Sequence, residues 1–129
     1  MKVYYSEATN SVVIDFLMKN KTWLECIEVK EADRWIVGIL DNEVISAVGI
    51  KSFAKTDRIS TIYVSKENRR KGIGTQTVMK AIENNKKRIT VFATPHCSEM
   101  LMKLRFKVIR QNANNDDYFM EREEIRDVH

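Results

Sequence analysis

One stretch decides how this chain folds: Ile62-Tyr63-Val64-Ser65-Lys66-Glu67-Asn68-Arg69-Arg70-Lys71-Gly72-Ile73-Gly74. It opens apolar and β-branched, turns polar and basic, and closes on Gly-x-Gly. Beyond it, Val78, Met79 and Ile82 recur at helical spacing up to a stop at Asn84-Asn85. A strand, a glycine-bearing loop and a helix are therefore expected in that order. Glycine permits positive φ and lets a ligand touch the backbone. The first helical turn adds unpaired N–H groups and the positive end of the helix dipole. Together these suit an anion, and a pyrophosphate is the natural guest. Arg69, Arg70 and Lys71 bring positive charge to the rim, and Thr75 brings a hydroxyl.

Spacing rules down the other phosphate loops. No GxxxxGK[ST] run is present, and the dinucleotide fingerprint needs a glycine at position 77, where Thr77 stands. In isolation the glycine pair also reads as a tight turn ahead of a helix. Its surroundings argue otherwise. The apolar run 88–93 completes a strand–loop–helix–strand unit, which implies a parallel pair joined right-handedly. Upstream, strands over 34–40, 44–50 and 59–64, with turns at Asp41-Asn42 and Lys55-Thr56-Asp57, form an antiparallel meander.

At the N-terminus Val3-Tyr4-Tyr5 reads as a short strand. Ser6-Glu7-Ala8-Thr9 then opens a helix with Val12, Val13, Phe16 and Leu17 on one face, ending at Asn20. A weaker helical stretch surrounds Trp23 to Ile27. Downstream come a helix over 98–104, a strand over 106–109, a turn over 112–117 and a last strand from Tyr118. The expectation is one α+β domain over 1–129, with a mixed sheet of six or seven strands flanked by about four helices.

At 129 residues the chain can bury a core without staples. A composition 43% hydrophobic and 31% charged is ordinary for a globular protein. Cys26 and Cys97 lie far apart and form no CxxC pair, which argues against a disulfide framework or metal site and for reduced thiols in a cytoplasm. No signal core and no run near ~18 apolar residues points to a membrane. The net charge of +4 is mild. Lys86-Lys87-Arg88 reads as a solvated face. Nucleic acid is not expected as a partner, because neither stacking aromatics in an RNP pattern nor zinc spacing accompanies that charge.

Residues 62–74 closely resemble motif A of the GNAT acetyltransferases, [Q/R]-x-x-G-x-[G/A] after a strand often ending in Tyr-Val. Arg69, Gly72 and Gly74 fall on its defining positions. Met100-Leu101-Met102-Lys103-Leu104-Arg105-Phe106 resembles the family's F-Y-E-K-L-G-F segment. The resemblance implies the GNAT-like acyl-CoA N-acyltransferase fold and acetyl-CoA as co-substrate, with no metal. It implies that backbone N–H groups of Arg70, Lys71, Gly72, Ile73, Gly74 and Thr75 hold the pyrophosphate beside Arg69, and that the strand edge Ile62, Tyr63, Val64 pairs with the pantetheine. The acetyl carbonyl would lie where the parallel strands splay, after Val64 and near Ala93-Thr94. There a primary amine (a small amine, a lysine side chain or a protein N-terminus) attacks directly, while a strand amide polarises the carbonyl.

Catalytic assignments follow less directly. Many relatives use a Glu near the start of the motif A strand as base. Counting back from Val64 by strand parity puts Arg58 on that face, so Asp57 is a candidate base with a turn role as its alternative. Many also use a Tyr as general acid, and here Leu101 aligns with it while Arg105 replaces the glycine. Tyr118 and Tyr63 are the nearby tyrosines by topology, and both also read as packing. His96 follows Pro95 at a helix start, where the dipole favours a neutral imidazole suited to a base. An exposed cap residue is the alternative. Cys97 beside it diverges in direction and forms no nucleophilic pair. Met100, Leu101, Met102 and Leu104 read as core, and Trp35 and Trp23 as core or half-buried, with the lining of an acceptor pocket as the alternative. Glu25, Glu28, Glu31, Asp33, Asp116 and Asp117 would suit a cationic acceptor such as a polyamine. A non-catalytic acyl-CoA-binding regulator and a small basic nucleic-acid module are the rival classes, and the latter would show steep salt dependence. Sheet edges also offer a route to a homodimer.

Overall fold

The computed structural model describes residues 2–20, 32–83, 85–114 and 116–123. The weak helical stretch around Trp23 lies outside them. Strand β1 (Tyr4–Ala8) leads into α1 (Asn10–Lys19). Ser6, Glu7 and Ala8 do not open that helix, because they pair with Val37, Ile36 and Trp35 of the neighbouring strand. The ladder offers their backbone groups partners that a helical first turn lacks. Thr9 in extended conformation is the N-cap instead.

Strands β2 (Arg34–Leu40) and β3 (Glu43–Ser52) form a hairpin over Asp41-Asn42. Both turn residues sit at positive φ, 51° and 65°. That mirror-image turn matches the twist of paired strands, and Asp and Asn tolerate it. Phe53 N–H donates to Thr56 O at 2.8 Å and closes the next turn. Strand β4 therefore begins at Thr56 and runs to Val64, so Asp57 is a strand residue rather than a turn residue. After a 3-10 turn (Lys66–Asn68) come α2 (Ile73–Ile82), β5 (Arg88–Ala93), α3 (Pro95–Lys103), β6 (Lys107–Gln111) and β7 (Tyr118–Arg122).

The seven strands form one sheet in the order β1-β2-β3-β4-β5-β7-β6. Among the described residues only β4 and β5 run parallel, as the strand–loop–helix–strand reading requires. Three α-helices occur among the described residues, against about four expected. Helices α2 and α3 cover one face through Val78, Ala81, Ile82 and Leu101, packed on Ile36, Val48, Ile59, Ile89, Val91 and Met120. Helix α1 covers the other face over β2 and β3 with Val13, Phe16 and Leu17 against Trp35, Val37 and Ala47. Trp35 is a core residue, 1% exposed. Val12, Met79 and Met102 are exposed, contrary to their expected core roles. Each adjoins a buried residue in sequence and so lies about 100° away from it around its helix.

Candidate functional site

The site begins with one extra residue. Gly49 pairs with Thr61 and Ile50 with Ile59, leaving Ser60 as a bulge on β4. A bulge shifts the alternation of side chains by one. Ile59 and Ile62 consequently share the α2 face, three positions apart, while Tyr63 meets Phe16 of α1 edge-on at 5.7 Å. The unbroken parity count is thereby corrected: Asp57 lies on the face of Val64, and Arg58 on the face of Tyr63. Arg58 stacks on Phe92, which points away from the core residues Val91 and Ala93 of β5.

The bulge also ends the parallel ladder. Its last pair is Ile59 with Val91, after which β4 and β5 diverge. The splay starts here, earlier than the expected point after Val64. Between the strands lies a cleft of about 150 Å³, lined by Ser60, Thr61 and Ile62 on one side and by Phe92, Ala93 and Thr94 on the other, with Cys97 of α3 at its edge.

The glycine loop is built from both ends. Ser65 N–H donates to Ile45 O at 2.8 Å, and buried Asn68 holds Ser65 through O (2.9 Å) and Oγ (2.8 Å). Arg69 folds back: its Nε donates to Val64 O at 2.9 Å and its guanidinium lies 5.3 Å from the Tyr63 ring centre. Its side chain thus locks the strand end. Arg70 and Lys71 are exposed, and Arg70 has φ 63°. Gly72, at φ 77°, is the N-cap of α2, and a Cβ there would meet nothing within 4 Å. Gly74 lies inside the first turn, where a Cβ would come 3.4 Å from Val64 Cγ2. No side chain caps α2, so among the described residues its first N–H groups keep their donor capacity. Thr77 anchors the helix, donating to Ile73 O at 2.6 Å and sharing a 2.8 Å hydrogen bond with Ser46 on β3. The cradle fits a pyrophosphate: open space, left-handed backbone, uncapped donors and half-buried Thr75.

The other candidates are dispersed. Asp57, 6% exposed, accepts a hydrogen bond from the Asn85 amide and faces Lys87 Nζ at 3.7 Å. Lys87 also donates to Phe53 O at 3.1 Å, so this cluster ties strand starts together before the splay. Tyr118 opens β7 opposite Ala93 and packs on the core. His96 is the second residue of α3, and its side chain lies outside the described residues. Thr94 caps α3, accepting from Cys97 N–H at 3.3 Å. Leu101, aligned with the family tyrosine, is fully buried. Of the acidic residues expected near an acceptor, Glu25, Glu28 and Glu31 lie outside the described residues, while Asp33 accepts from Ser52 N–H at 2.6 Å. Sequence alone does not mark Ser60, Thr61 and Phe92 as cleft residues, because the bulge that aims them has no residue signature. A Ser-Thr pair interrupting a β-branched strand is the faint trace it leaves. Among the described residues no cluster of three metal-ligating side chains occurs, and no helix is long and apolar enough to cross a membrane.

Comparison with known proteins agrees with this geometry. A family model described as "Acetyltransferase (GNAT) family" matches residues 4–98. The Escherichia coli ElaA structure superposes with a TM-score of 0.75 at 16% identity, covering 95% of this chain and 100% of that one. The PaiA N-acetyltransferase of Thermoplasma acidophilum, in complex with coenzyme A, gives 0.69 at 15% identity over 97% and 100% of the two chains. The aminoglycoside 6'-N-acetyltransferase of Enterococcus faecium gives 0.75 at 18% identity over 98% and 99%. At these identities the likeness is one of fold. No curated protein matched.

Proposed function

This chain belongs to the GNAT acetyltransferase family, and from that premise we propose that it is an N-acetyltransferase moving an acetyl group from acetyl-CoA to a primary amine. The observation that carries the reading is the meeting of two features at one sheet end. The β4–β5 ladder stops at Ile59 and Val91, and α2 begins just beyond β4 with Gly72 in the left-handed region and no side-chain cap. The N–H groups around Gly72 would receive the pyrophosphate. The freed edge of β4 from Ser60 to Val64 would take the pantetheine as a third strand takes its neighbour. Coenzyme A structures in this fold class support the same ligand chemistry.

Bound acetyl-CoA supplies a thioester whose carbonyl accepts the attack. The amine nitrogen forms a bond to the acetyl carbon, the carbon–sulfur bond breaks, and the amine's proton leaves while the thiolate gains one. Backbone N–H groups at the splay would stabilise charge on the carbonyl oxygen. Catalytic gain then comes mostly from holding the two reactants together. Tyr118 and His96 are the protein's proposed proton-transfer groups, since Asp57 is held by Asn85 and Lys87 before the splay. His96 stands nearest the splay in sequence, two positions after Thr94.

Calorimetric titration with acetyl-CoA tests the reading, alongside Gly72→Glu. Binding in the micromolar range that the variant loses is the expected result. Absence of binding by the unaltered protein overturns it. A second reading, a non-catalytic acyl-CoA-binding regulator, is favoured by buried Leu101 in the position of the family's tyrosine. Binding without thiol release across a panel of amines would mark that outcome.

A further inference from the structure

On the α1-side face of the sheet, beside the splay, stands a cation without a counter-charge among the described residues. The Arg58 guanidinium lies 4.9 Å from the Phe53 ring centre and 5.2 Å from that of Phe92. Two aromatic rings thus flank it, and its N–H groups are what remains to bond a ligand. Its Nε is buried and makes no hydrogen bond among the described residues. Two positions along β4, the bulge residue Ser60 lines the cleft, and its Oγ is likewise buried and without a hydrogen-bond partner among them. Lys51 also stands over Phe53, at 5.8 Å. The one ion pair on this part of the face, Arg88 with Glu121 at 3.8 Å, leaves Arg58 and Lys51 uncompensated among the described residues.

A buried guanidinium N–H and a buried hydroxyl are costly until something bonds them. A planar fork with aromatic faces favours a planar, bidentate anion over a point charge. Phe92 belongs both to the Arg58 sandwich and to the cleft wall, so an anion on Arg58 would sit beside the place of acetyl transfer. We infer that Arg58, with Ser60, is the receptor for a carboxylate carried by the acceptor, which makes the acceptor an amino acid-class amine. This rests on the acetyltransferase reading and narrows it. It opposes the cationic acceptor suggested by Asp116 and Asp117, since a polyamine would meet Arg58 and Lys51 with like charge.

The test uses pools of L-amino acids and the matching pools of L-amino acid carboxamides, which differ in the carboxylate alone, with spermidine as the cationic arm. Two signals are read: thiol release with acetyl-CoA present, and the Arg58 Nε–H resonance with and without it. The expected result is a preference of about tenfold or more in kcat/KM for acids over amides. It should vanish in Arg58→Gln and return in part in Arg58→Lys, with acetyl-CoA affinity unchanged. The Nε–H resonance should move downfield with amino acids and stay with carboxamides. Equal use of acids and amides, a preference that survives Arg58→Gln, better turnover of spermidine, or an Nε–H resonance unmoved by saturating amino acids would overturn the inference. Failure to bind acetyl-CoA strikes the acetyltransferase reading instead, and the resonance still decides the carboxylate.

Discussion

At the scale of single residues, Arg105 shows what the family segment lost. It holds φ 72° just past α3, where its N–H donates to Met102 O at 3.1 Å and that of Phe106 donates to Leu101 O at 3.0 Å. This is a Schellman termination, whose left-handed position favours glycine. Arg105→Gly should therefore stabilise the protein by about 1 kcal/mol, read as a higher urea midpoint with an unchanged slope. Two glycines show opposite reasons for being glycine. Gly72 has open space but φ 77°, so Gly72→Ala should cost about 1 kcal/mol through backbone strain alone. At Gly49 a Cβ would come 2.8 Å from Trp35 and 2.9 Å from Ser60 Oγ, so Gly49→Ala should cost roughly 1–3 kcal/mol through crowding. Urea unfolding of the two variants separates these costs, and only the first should also weaken acetyl-CoA binding.

Among the elements, β4 and α3 carry the site's precision. Deleting Ser60 would remove the bulge and return β4 to strict alternation. Ile59 and Ile62 would then stand two positions apart and both keep the α2 face, with Arg58 still on the other. Near-UV circular dichroism should therefore still show a cooperative unfolding transition, while acetyl-CoA affinity falls because the irregularity beside the end of the β4–β5 ladder is gone. Helix α3 places Leu101 wholly inside the core. Leu101→Ala should cost about 3–5 kcal/mol by leaving a cavity. Leu101→Tyr should cost roughly 1–3 kcal/mol by overpacking without adding a proton donor to the cleft. Thiol-release assays on the second variant would show whether a tyrosine there raises the rate, and no gain is expected.

For the whole molecule, two cores on opposite faces of one sheet leave the β4–β5 splay as the place where the sheet can open to a ligand. A co-substrate that binds only the folded state stabilises it by about 2.7 kcal/mol at a hundred times its dissociation constant. Acetyl-CoA should therefore raise the thermal midpoint of the unaltered protein and leave that of Gly72→Glu where it was. The ion pairs on the described surface are mostly exposed and add little, so added salt should move the midpoint only slightly.

From residues 62–93 came the strand, the glycine loop, the helix behind it and the parallel pair, because periodicity and glycine placement are local properties written residue by residue. The meander and the Asp41-Asn42 turn were legible for the same reason. Tertiary structure decided the rest. Ser6 to Ala8 joined β1 because β2 offered them a ladder. Strand β7 inserted between β5 and β6. Arg69 turned back onto Val64 and Tyr63 instead of reaching out from the loop. Above all, the bulge at Ser60 exchanged the faces of Asp57 and Arg58 and opened the cleft early. Register between strands is set by the fit of whole faces against each other, a sum over distant residues that no short stretch of the chain contains.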